Sequence, residues 1–149
     1  MEKQSHILLT GASRGIGKAI FETLDIAGTR IVGHASSARG NLIGADLSLP
    51  GAAEALWNAA LERLDGRIDV LVNNAGIFEP NPIDRSDIEW LDGWEQTMRI
   101  NLTASAELCR YAVRHWQETG RGGRIVNVAS RAAYRGDSPA HWHYAASKA

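Results

Sequence analysis

Residues 8–20 read LLTGASRGIGKAI. An apolar run is followed at once by three glycines, and an amphipathic helical pattern begins among them. Glycine at such a junction permits positive φ and a close approach of the backbone to a phosphate. The helix that follows would direct its free N–H groups and the positive end of its dipole to the same place. The stretch therefore predicts a strand, an anion-binding turn and a helix.

The glycines of this turn are Gly11, Gly15 and Gly17, in the spacing G-x-x-x-G-x-G. This spacing differs from the dinucleotide fingerprint G-x-G-x-x-G, and either pattern alone also fits an ordinary glycine-rich turn. At the first strand-to-helix junction of an α/β chain, the pattern favours a dinucleotide site.

Four short apolar runs predict strands at residues 6–10, 29–34, 68–73 and 124–130. A shorter run at residues 41–47 is a candidate fifth strand. The first, third and fourth runs are nearly continuous, which is typical of a parallel sheet covered on both faces.

Helical patterns lie between these strands. Apolar stripes in residues 16–27 and 53–64 end at Gly28 and Gly66, and a long third segment covers residues 88–119. The third segment is predicted to place these apolar residues on one side: Leu102, Ala106, Cys109 and Val113. The alternation predicts an α/β fold with a mostly parallel, doubly wound sheet.

The second and third strands are predicted to lie close together along the chain. Eleven residues separate His34 from Asp46, which is too few for an ordinary crossover helix plus a strand. We therefore expect an extended or single-turn link.

Composition excludes several function classes. The length of 149 residues suits one domain. The 16 Lys and Arg residues against 17 Asp and Glu residues give a net charge of −1, and the basic residues form no stripe. Neither nucleic acid nor a membrane surface is therefore an expected partner. No apolar run approaches the roughly 18–20 residues of a membrane span. With Cys109 as the single cysteine and no signal sequence, we expect a cytoplasmic protein without disulfides.

His141 and His143 have no carboxylate or cysteine pair at ligand spacing, so no metal site is predicted.

Three motifs together resemble the short-chain dehydrogenase/reductase family. They are TGASRGIG at residues 10–17, NNAG at residues 73–76, and a tyrosine and a lysine four residues apart, Tyr144 and Lys148. They occur in the family's order over essentially the whole chain. The resemblance implies that residues 1–149 are an NAD(P)-binding Rossmann domain, the N-terminal part of a single-domain enzyme. It also implies hydride transfer between a nicotinamide and a small carbonyl or alcohol substrate.

The chemistry of that reaction explains the tyrosine and the lysine. A carbonyl that receives a hydride becomes an alkoxide and needs a proton from a nearby acid. Tyrosine has a reference pKa of about 10, which a cation on the same helix face lowers. The resemblance implies that Tyr144 is the general acid/base, that Lys148 also holds the nicotinamide ribose, and that Ser130 bonds the substrate oxygen. It also assigns Asn101 to a proton relay through water. The structural alternative is that the tyrosine and the lysine form a solvated helix face and that the serine caps the end of a strand.

The resemblance also implies the cofactor contacts. Asp46 would bond the adenine amino group, or alternatively cap the turn that follows it. The NNAG segment would border the cofactor, and it is equally a strand-terminating turn. The implied cofactor-binding residues are Gly11, Ser13, Arg14, Gly15, Ile16, Gly17, Asp46, Leu47, Asn73, Ala75, Gly76, Tyr144 and Lys148.

The residues after the second strand indicate which dinucleotide is bound. Family members that prefer NAD commonly carry an acid there, whereas residues 34–39 read HASSAR. Arg14 and Arg39 could meet a 2′-phosphate instead, which favours NADP over NAD. Arg14 could also be a solvated charge in a turn.

The family's fold continues past the tyrosine and lysine with two further strands and a substrate-binding lobe, and none of these is in this chain. We therefore expect residues 124–130 to form an exposed apolar edge and the polypeptide to be a fragment with little or no activity of its own. The alternative function is a non-catalytic dinucleotide-binding or interaction module. Segment 88–119 is the expected surface for a homo-oligomer.

Overall fold

A computed structural model describes residues 4–149, and its centre is a parallel sheet. Five strands form that sheet in the described part of the chain, in the order β3-β2-β1-β4-β5, and each pairs with its neighbours in parallel. They are β1 (Ser5–Leu9), β2 (Thr29–Ala35), β3 (Ile43–Gly44), β4 (Val70–Asn73) and β5 (Arg124–Asn127). The α/β class and the parallel sheet predicted from the sequence are confirmed.

Six α-helices connect and flank the strands of residues 4–149. They are α1 (Gly15–Leu24), α2 (Ala52–Arg63), α3 (Asp87–Met98), α4 (Ala104–Thr119), α5 (Ala132–Arg135) and α6 (Trp142–Lys148). One turn of π-helix, Arg99–Thr103, joins α3 to α4, so the predicted long helix is interrupted near its middle. The sequence did not predict α5. The start of α3 is fixed by a capping box between Ser86 and Glu89, the S-x-x-E pattern of a helix N-terminus.

The strand order changes side between β1 and β4, which run parallel to each other. From β1 the chain builds β2 and β3 on one side and then returns to add β4 and β5 on the other. In open α/β sheets, ligands bind in the crevice outside the carboxyl ends of the strands at this point. The glycine-rich turn follows β1 and the NNAG segment includes the end of β4, so both lie at the crevice.

Two apolar clusters hold the helices to the sheet. On one face, α2 and α4 pack against the strands, and the fully buried leucines include Leu8, Leu56, Leu71 and Leu108. On the other face, Phe21 and Leu24 of α1 pack against a smaller cluster. Burying one such side chain contributes roughly 1.5–3 kcal/mol. The first face therefore carries most of the core.

The prediction of which residues form the buried apolar side of α4 is wrong for most of them. The residues of this segment that face the core are Ala104, Leu108 and Ala112, whereas Leu102, Ala106 and Val113 are exposed and Cys109 is half-buried. The buried side carries two alanines because α4 packs closely against α2 and β4. Hydrophobicity alone favoured the larger side chains on the opposite side.

The predicted link and edge are confirmed. No helix lies between β2 and β3, where residues 36–42 form a short turn closed by a bridge between Arg39 and Leu42. β5 is an edge of the described sheet, and the Val126 side chain on it is 48% exposed. No helix in residues 4–149 is long and apolar enough to span a membrane.

The different burial of two leucines can be tested by the same truncation. Leu108→Ala should lower the free energy of unfolding by about 2–5 kcal/mol, because it opens a cavity between α4 and the sheet. Leu49→Ala, at a leucine that is 56% exposed, should change it by less than about 1 kcal/mol. Urea unfolding followed by circular dichroism measures both, and equal losses would contradict the core described here.

Candidate dinucleotide site and active site

A cleft of about 500 Å³ opens at the carboxyl ends of the strands, and its size suits a small-molecule ligand. Its lining comes from the glycine-rich turn, the end of β2, the segment after β3 and the segment after β4. Most of the predicted cofactor-binding residues line it, namely Gly11, Ser13, Arg14, Gly15, Ile16, Gly17, Asp46, Leu47, Ala75 and Gly76. The structure thus brings together residues that are far apart in the sequence.

Two glycines of the turn are required by close backbone contacts. Gly11 has a φ of +68°, and a Cβ there would lie 2.8 Å from the Cα of Ala75. At Gly17 a Cβ would lie only 1.9 Å from the carbonyl oxygen of Gly11. The turn is therefore folded tightly on itself and against the NNAG segment.

The start of α1 offers free donors to this cleft. Arg14 precedes the helix with extended backbone, and its side chain caps no N–H group in the described residues. The first turn of α1, within the same residues, carries no acidic side chain. Uncapped N–H groups at a helix N-terminus bind anions, so the site fits a dinucleotide's phosphates.

Thr10 and Asn74 join the ends of β1 and β4. The Thr10 hydroxyl oxygen accepts hydrogen bonds from the backbone N–H groups of Asn74 (3.0 Å) and Ala75 (2.9 Å). The Asn74 amide donates back to the carbonyl oxygens of Thr10 (3.1 Å) and Gly11 (3.0 Å). Sequence reasoning missed both residues as site residues, although each lies inside a motif that it had singled out. His34, which lines the same cleft, was missed as well.

Asp46 does what the local alternative predicted and also lines the cleft. Its Oδ1 accepts from the backbone N–H (3.0 Å) and the hydroxyl (2.7 Å) of Ser48. These hydrogen bonds lower the pKa of the exposed Asp46 carboxyl. Leu47, beside it, is buried in the core. The adenine contact of Asp46 stays a prediction.

The Asn73 side chain lies on the sheet side of the NNAG segment. Its amide donates to Asn127 Oδ1 (2.9 Å) and to Cys109 Sγ (3.3 Å), so it connects β4 with β5 and α4. Asn73 is not among the residues described as lining the cleft. This placement matches the sheet-steadying part of the predicted role.

Asn101 connects three parts of the site from within the π-helical turn. Its Oδ1 accepts from the backbone N–H of Ile77 (2.8 Å), and its Nδ2 donates to the Ile77 carbonyl oxygen (3.0 Å) and to Ser147 Oγ (3.0 Å). The residue is buried, and both of its N–H groups are engaged by protein. A π-turn frequently marks a functional position in a helix. The relay role of Asn101 stays a prediction.

Lys148 and Tyr144 lie on α6, next to the NNAG segment. Lys148 Nζ donates to the carbonyl oxygen of Val128 (3.3 Å), and a Cβ at Gly76 would lie 3.6 Å from this nitrogen. Burial lowers the pKa of Lys148. The Tyr144 ring meets Phe78 edge-on, with 4.7 Å between centroids. The lysine therefore adjoins the cleft through Gly76.

Ser130 lies after β5 and caps the short helix α5. Its Oγ accepts a hydrogen bond from the backbone N–H of Ala132 (3.2 Å). This local contact agrees with the structural alternative, in which the serine caps the end of the strand. α5, which begins two residues after Ser130, packs against α6, the helix that carries Tyr144. Because the serine oxygen only accepts in this cap, its O–H remains a donor for a ligand.

The two histidines near Tyr144 belong to an aromatic cluster. His141 stacks on Phe78 with 3.9 Å between centroids, and its Nδ1 lies 2.7 Å from Ser138 Oγ. His143 is buried, and that burial lowers its pKa. In residues 4–149 no group of three or more His, Cys, Asp or Glu side chains could hold a metal ion.

Comparison with known proteins identifies relatives of this chain. The family model described as short chain dehydrogenase matches residues 5–149. The chain is 38% identical over 154 positions to the 3-oxoacyl-(acyl-carrier-protein) reductase FabG of Vibrio cholerae serotype O1. That match covers 95% of this chain and 61% of the relative, so the chain spans less than two thirds of the relative's length.

Two solved structures show the same fold. An NADH-dependent reductase A1-R′, complexed with NAD, matches with a TM-score of 0.84 and 24% identity, over 98% of this chain and 68% of that one. A 4-hydroxyisoleucine dehydrogenase complexed with NADH matches with a TM-score of 0.80 and 30% identity, over 97% of this chain and 63% of that one.

The connection between β1 and β4 predicts a specific effect at Thr10. Thr10→Val keeps the shape but leaves the N–H groups of Asn74 and Ala75 without their acceptor, which should cost about 1–3 kcal/mol of unfolding free energy. Thr10→Ser keeps the hydroxyl and should lose less. Denaturant unfolding of both variants measures the difference. A valine variant as stable as the serine variant would contradict the role of this hydroxyl.

Proposed function

The chain belongs to the short-chain dehydrogenase family, and we propose that it is an NAD(P)-dependent oxidoreductase acting on a carbonyl or alcohol. In this proposal, residues 1–149 are its NAD(P)-binding Rossmann domain and Tyr144 is the general acid/base. The observation that carries the proposal is the position of Gly76. It lines the cleft and also adjoins Lys148 and Asn101, so the candidate cofactor and catalytic sites are continuous.

A dinucleotide fits the residues present. The backbone of the glycine-rich turn and the first turn of α1 would hold its phosphates, because their glycines leave room and their N–H groups are uncapped in the described residues. Asp46 would bind the adenine and Lys148 the nicotinamide ribose. When bound, the dinucleotide supplies or accepts the hydride.

The proton chemistry belongs to the chain itself. In the reducing direction Tyr144 gives its phenolic proton to the substrate oxygen, and in the oxidising direction it takes that proton back. Lys148 stabilises the tyrosinate because a nearby cation favours the charged form of tyrosine. Ser130 donates a hydrogen bond from its hydroxyl to the same substrate oxygen and keeps its proton, while its oxygen still accepts from the backbone N–H of Ala132. Asn101 holds the backbone of Ile77 in place. In the proposed mechanism it also positions a water of the proton relay to solvent.

Removal of the phenolic hydroxyl tests the acid/base role. Tyr144→Phe should lower turnover by about 10²–10⁴-fold and leave NADPH affinity within about threefold, because the proton donor is lost while the cleft is kept. Turnover is read as NADPH oxidation with a carbonyl panel that includes a 3-oxoacyl thioester, the substrate class in the name of the Vibrio cholerae relative.

Tyr134→Phe is the matched control, since this tyrosine of α5 is 93% exposed and lines no part of the cleft in the described residues. It should leave turnover unchanged. Tight NADPH binding by the wild type without turnover on any substrate would instead support the alternatives, a non-catalytic dinucleotide-binding module or an inactive fragment of the reductase.

We propose NADP rather than NAD as the preferred cofactor. Arg14, Ser36, Ser37 and Arg39 line the cleft where the adenosine end of a dinucleotide would lie, and residues 34–39 contain no acid. An arginine suits a 2′-phosphate, and the missing acid removes a partner for the ribose hydroxyls that NAD presents. NAD is the second candidate, because two relatives of the same fold were solved with NAD or NADH.

Cofactor preference is measurable as a ratio of affinities. Arg14→Ala and Arg39→Ala should each weaken NADPH binding about 10- to 100-fold and leave NADH binding nearly unchanged, because a hydrogen bond to a charged group contributes about 1.5–3 kcal/mol. Arg121→Ala, whose arginine lies outside the described lining, should change neither affinity. Calorimetric titration with both dinucleotides gives the ratio. Tighter binding of NADH by the wild type would exclude the NADP preference.

We also propose self-association through the α3–α4 segment. Four large apolar residues of this segment are exposed, namely Ile88, Leu91, Leu102 and Val113. A second copy that covered them would remove this apolar surface from water. The cytoplasmic location stays a prediction.

A further inference from the structure

The His34 side chain bridges two segments of the cleft. It lies near the end of β2 and is only 3% exposed. Its Nδ1 accepts a hydrogen bond from the backbone N–H of Gly11 (3.1 Å), and its Nε2 lies 2.8 Å from the carbonyl oxygen of Ala45. One imidazole ring therefore holds the glycine-rich turn on one side and the segment that leads into Asp46 on the other.

A single protonation state satisfies both partners. A backbone N–H can only donate and a carbonyl oxygen can only accept, so Nδ1 must be unprotonated and Nε2 must carry the hydrogen. This is the neutral ring in one of its two tautomers. A doubly protonated ring would point an N–H group at the N–H group of Gly11, and the hydrogen bond would be lost.

We propose that neutral His34 is a positioning residue of the dinucleotide site, and that protonation of its ring releases the glycine-rich turn and weakens dinucleotide binding. The inference rests on the proposed function. It follows from contact geometry, because both partners of the ring belong to segments that line the cleft.

The surroundings of His34 oppose a positive charge. Burial lowers its pKa, and the hydrogen bond to Ala45 only partly offsets this effect. The charged groups of the neighbouring segments are Arg14 of the glycine-rich turn, Arg39 of the β2–β3 link, Asp46 after β3, and the ion-paired Lys18 and Glu22 on α1. Asp46 is the one carboxylate in the described lining, and Ser48 already engages it.

The sign of the pH dependence follows. At a pH above the ordinary histidine pKa of about 6.5, the ring is neutral in both the folded and the unfolded chain, so its titration makes neither dinucleotide affinity nor stability depend on pH. As the pH falls from there toward the lowered pKa of the folded chain, its contribution to stability is lost. Below that lowered pKa, dinucleotide affinity falls by up to about tenfold per pH unit.

Two amide substitutions separate the two hydrogen bonds. In His34→Asn the short amide oxygen can replace Nδ1 as the acceptor for Gly11, and in His34→Gln the longer amide can replace Nε2 as the donor to Ala45. Neither side chain titrates. Both variants have the same chemical groups, so a difference between them reports which of the two hydrogen bonds dinucleotide binding depends on more.

NADPH affinity, measured by fluorescence between about pH 5 and pH 8, is the first readout. At about pH 8 the asparagine variant should bind within about threefold of the wild type, and the glutamine variant roughly three- to tenfold more weakly. As the pH falls, the wild-type affinity should decline toward that of the glutamine variant. The asparagine variant should show only the weaker dependence that the ligand's own phosphate brings.

Nitrogen NMR of the ligand-free wild type is the second readout and needs no variant. The His34 ring should carry its hydrogen on Nε2 at about pH 8, and the Gly11 amide should shift with the same midpoint as the ring. A hydrogen on Nδ1 would overturn the inference.

The outcomes separate the inference from the proposed function. Binding with parallel pH profiles in the wild type and the asparagine variant would overturn the role of His34 alone. The same holds if the glutamine variant binds as tightly as the wild type. If none of the three proteins binds NADPH or NADH at any pH, the proposed function itself fails, and the role of His34 in binding fails with it.

Discussion

The hydrogen bonds between Thr10 and Asn74 are the constraint on which the site depends. They join the ends of β1 and β4, the two neighbouring parallel strands from which the sheet is built outward in opposite directions. The glycine-rich turn can lie against this junction only because Gly11 and Gly17 have no side chains to collide with it. A cleft at the carboxyl end of a parallel sheet is general for the architecture. This junction holds the glycine-rich turn and the NNAG segment together on one side of that cleft.

A second set of contacts extends order from that junction to the end of the chain. Asn101 holds Ile77, which follows the NNAG segment, and reaches Ser147 on α6. Lys148 adds a hydrogen bond to Val128 after β5. A helix as short as α6 has little stability of its own, since isolated helices below roughly 12–15 residues are marginal in water. Tertiary contacts therefore place the lysine of the candidate active site.

Pattern in the sequence predicted the fold better than it predicted which helix face is buried. Nearly continuous apolar runs were correct for the parallel strands, and the short spacing before Asp46 was correct for the missing crossover helix. The prediction of which α4 face is buried was wrong because the buried face carries the small residues Ala104 and Ala112. Hydrophobicity does not record how closely two elements approach each other. The π-turn at Asn101 was missed, and the partners of the Asn101 side chain, Ile77 and Ser147, lie far away in the sequence.

The sequence by itself determined the strand and helix order, the glycine-rich turn after the first strand and the identity of the candidate chemical groups, because these depend on local spacing and residue type. Only the tertiary structure decided which of those groups meet. In the folded chain the Asn73 side chain bonds to Asn127 of the neighbouring strand, and the Asp46 carboxylate bonds to Ser48 in its own turn. The His34 ring lies between Gly11 and Ala45. Such hydrogen bonds depend on the positions of backbone groups many residues apart, and these positions are fixed only when the sheet forms.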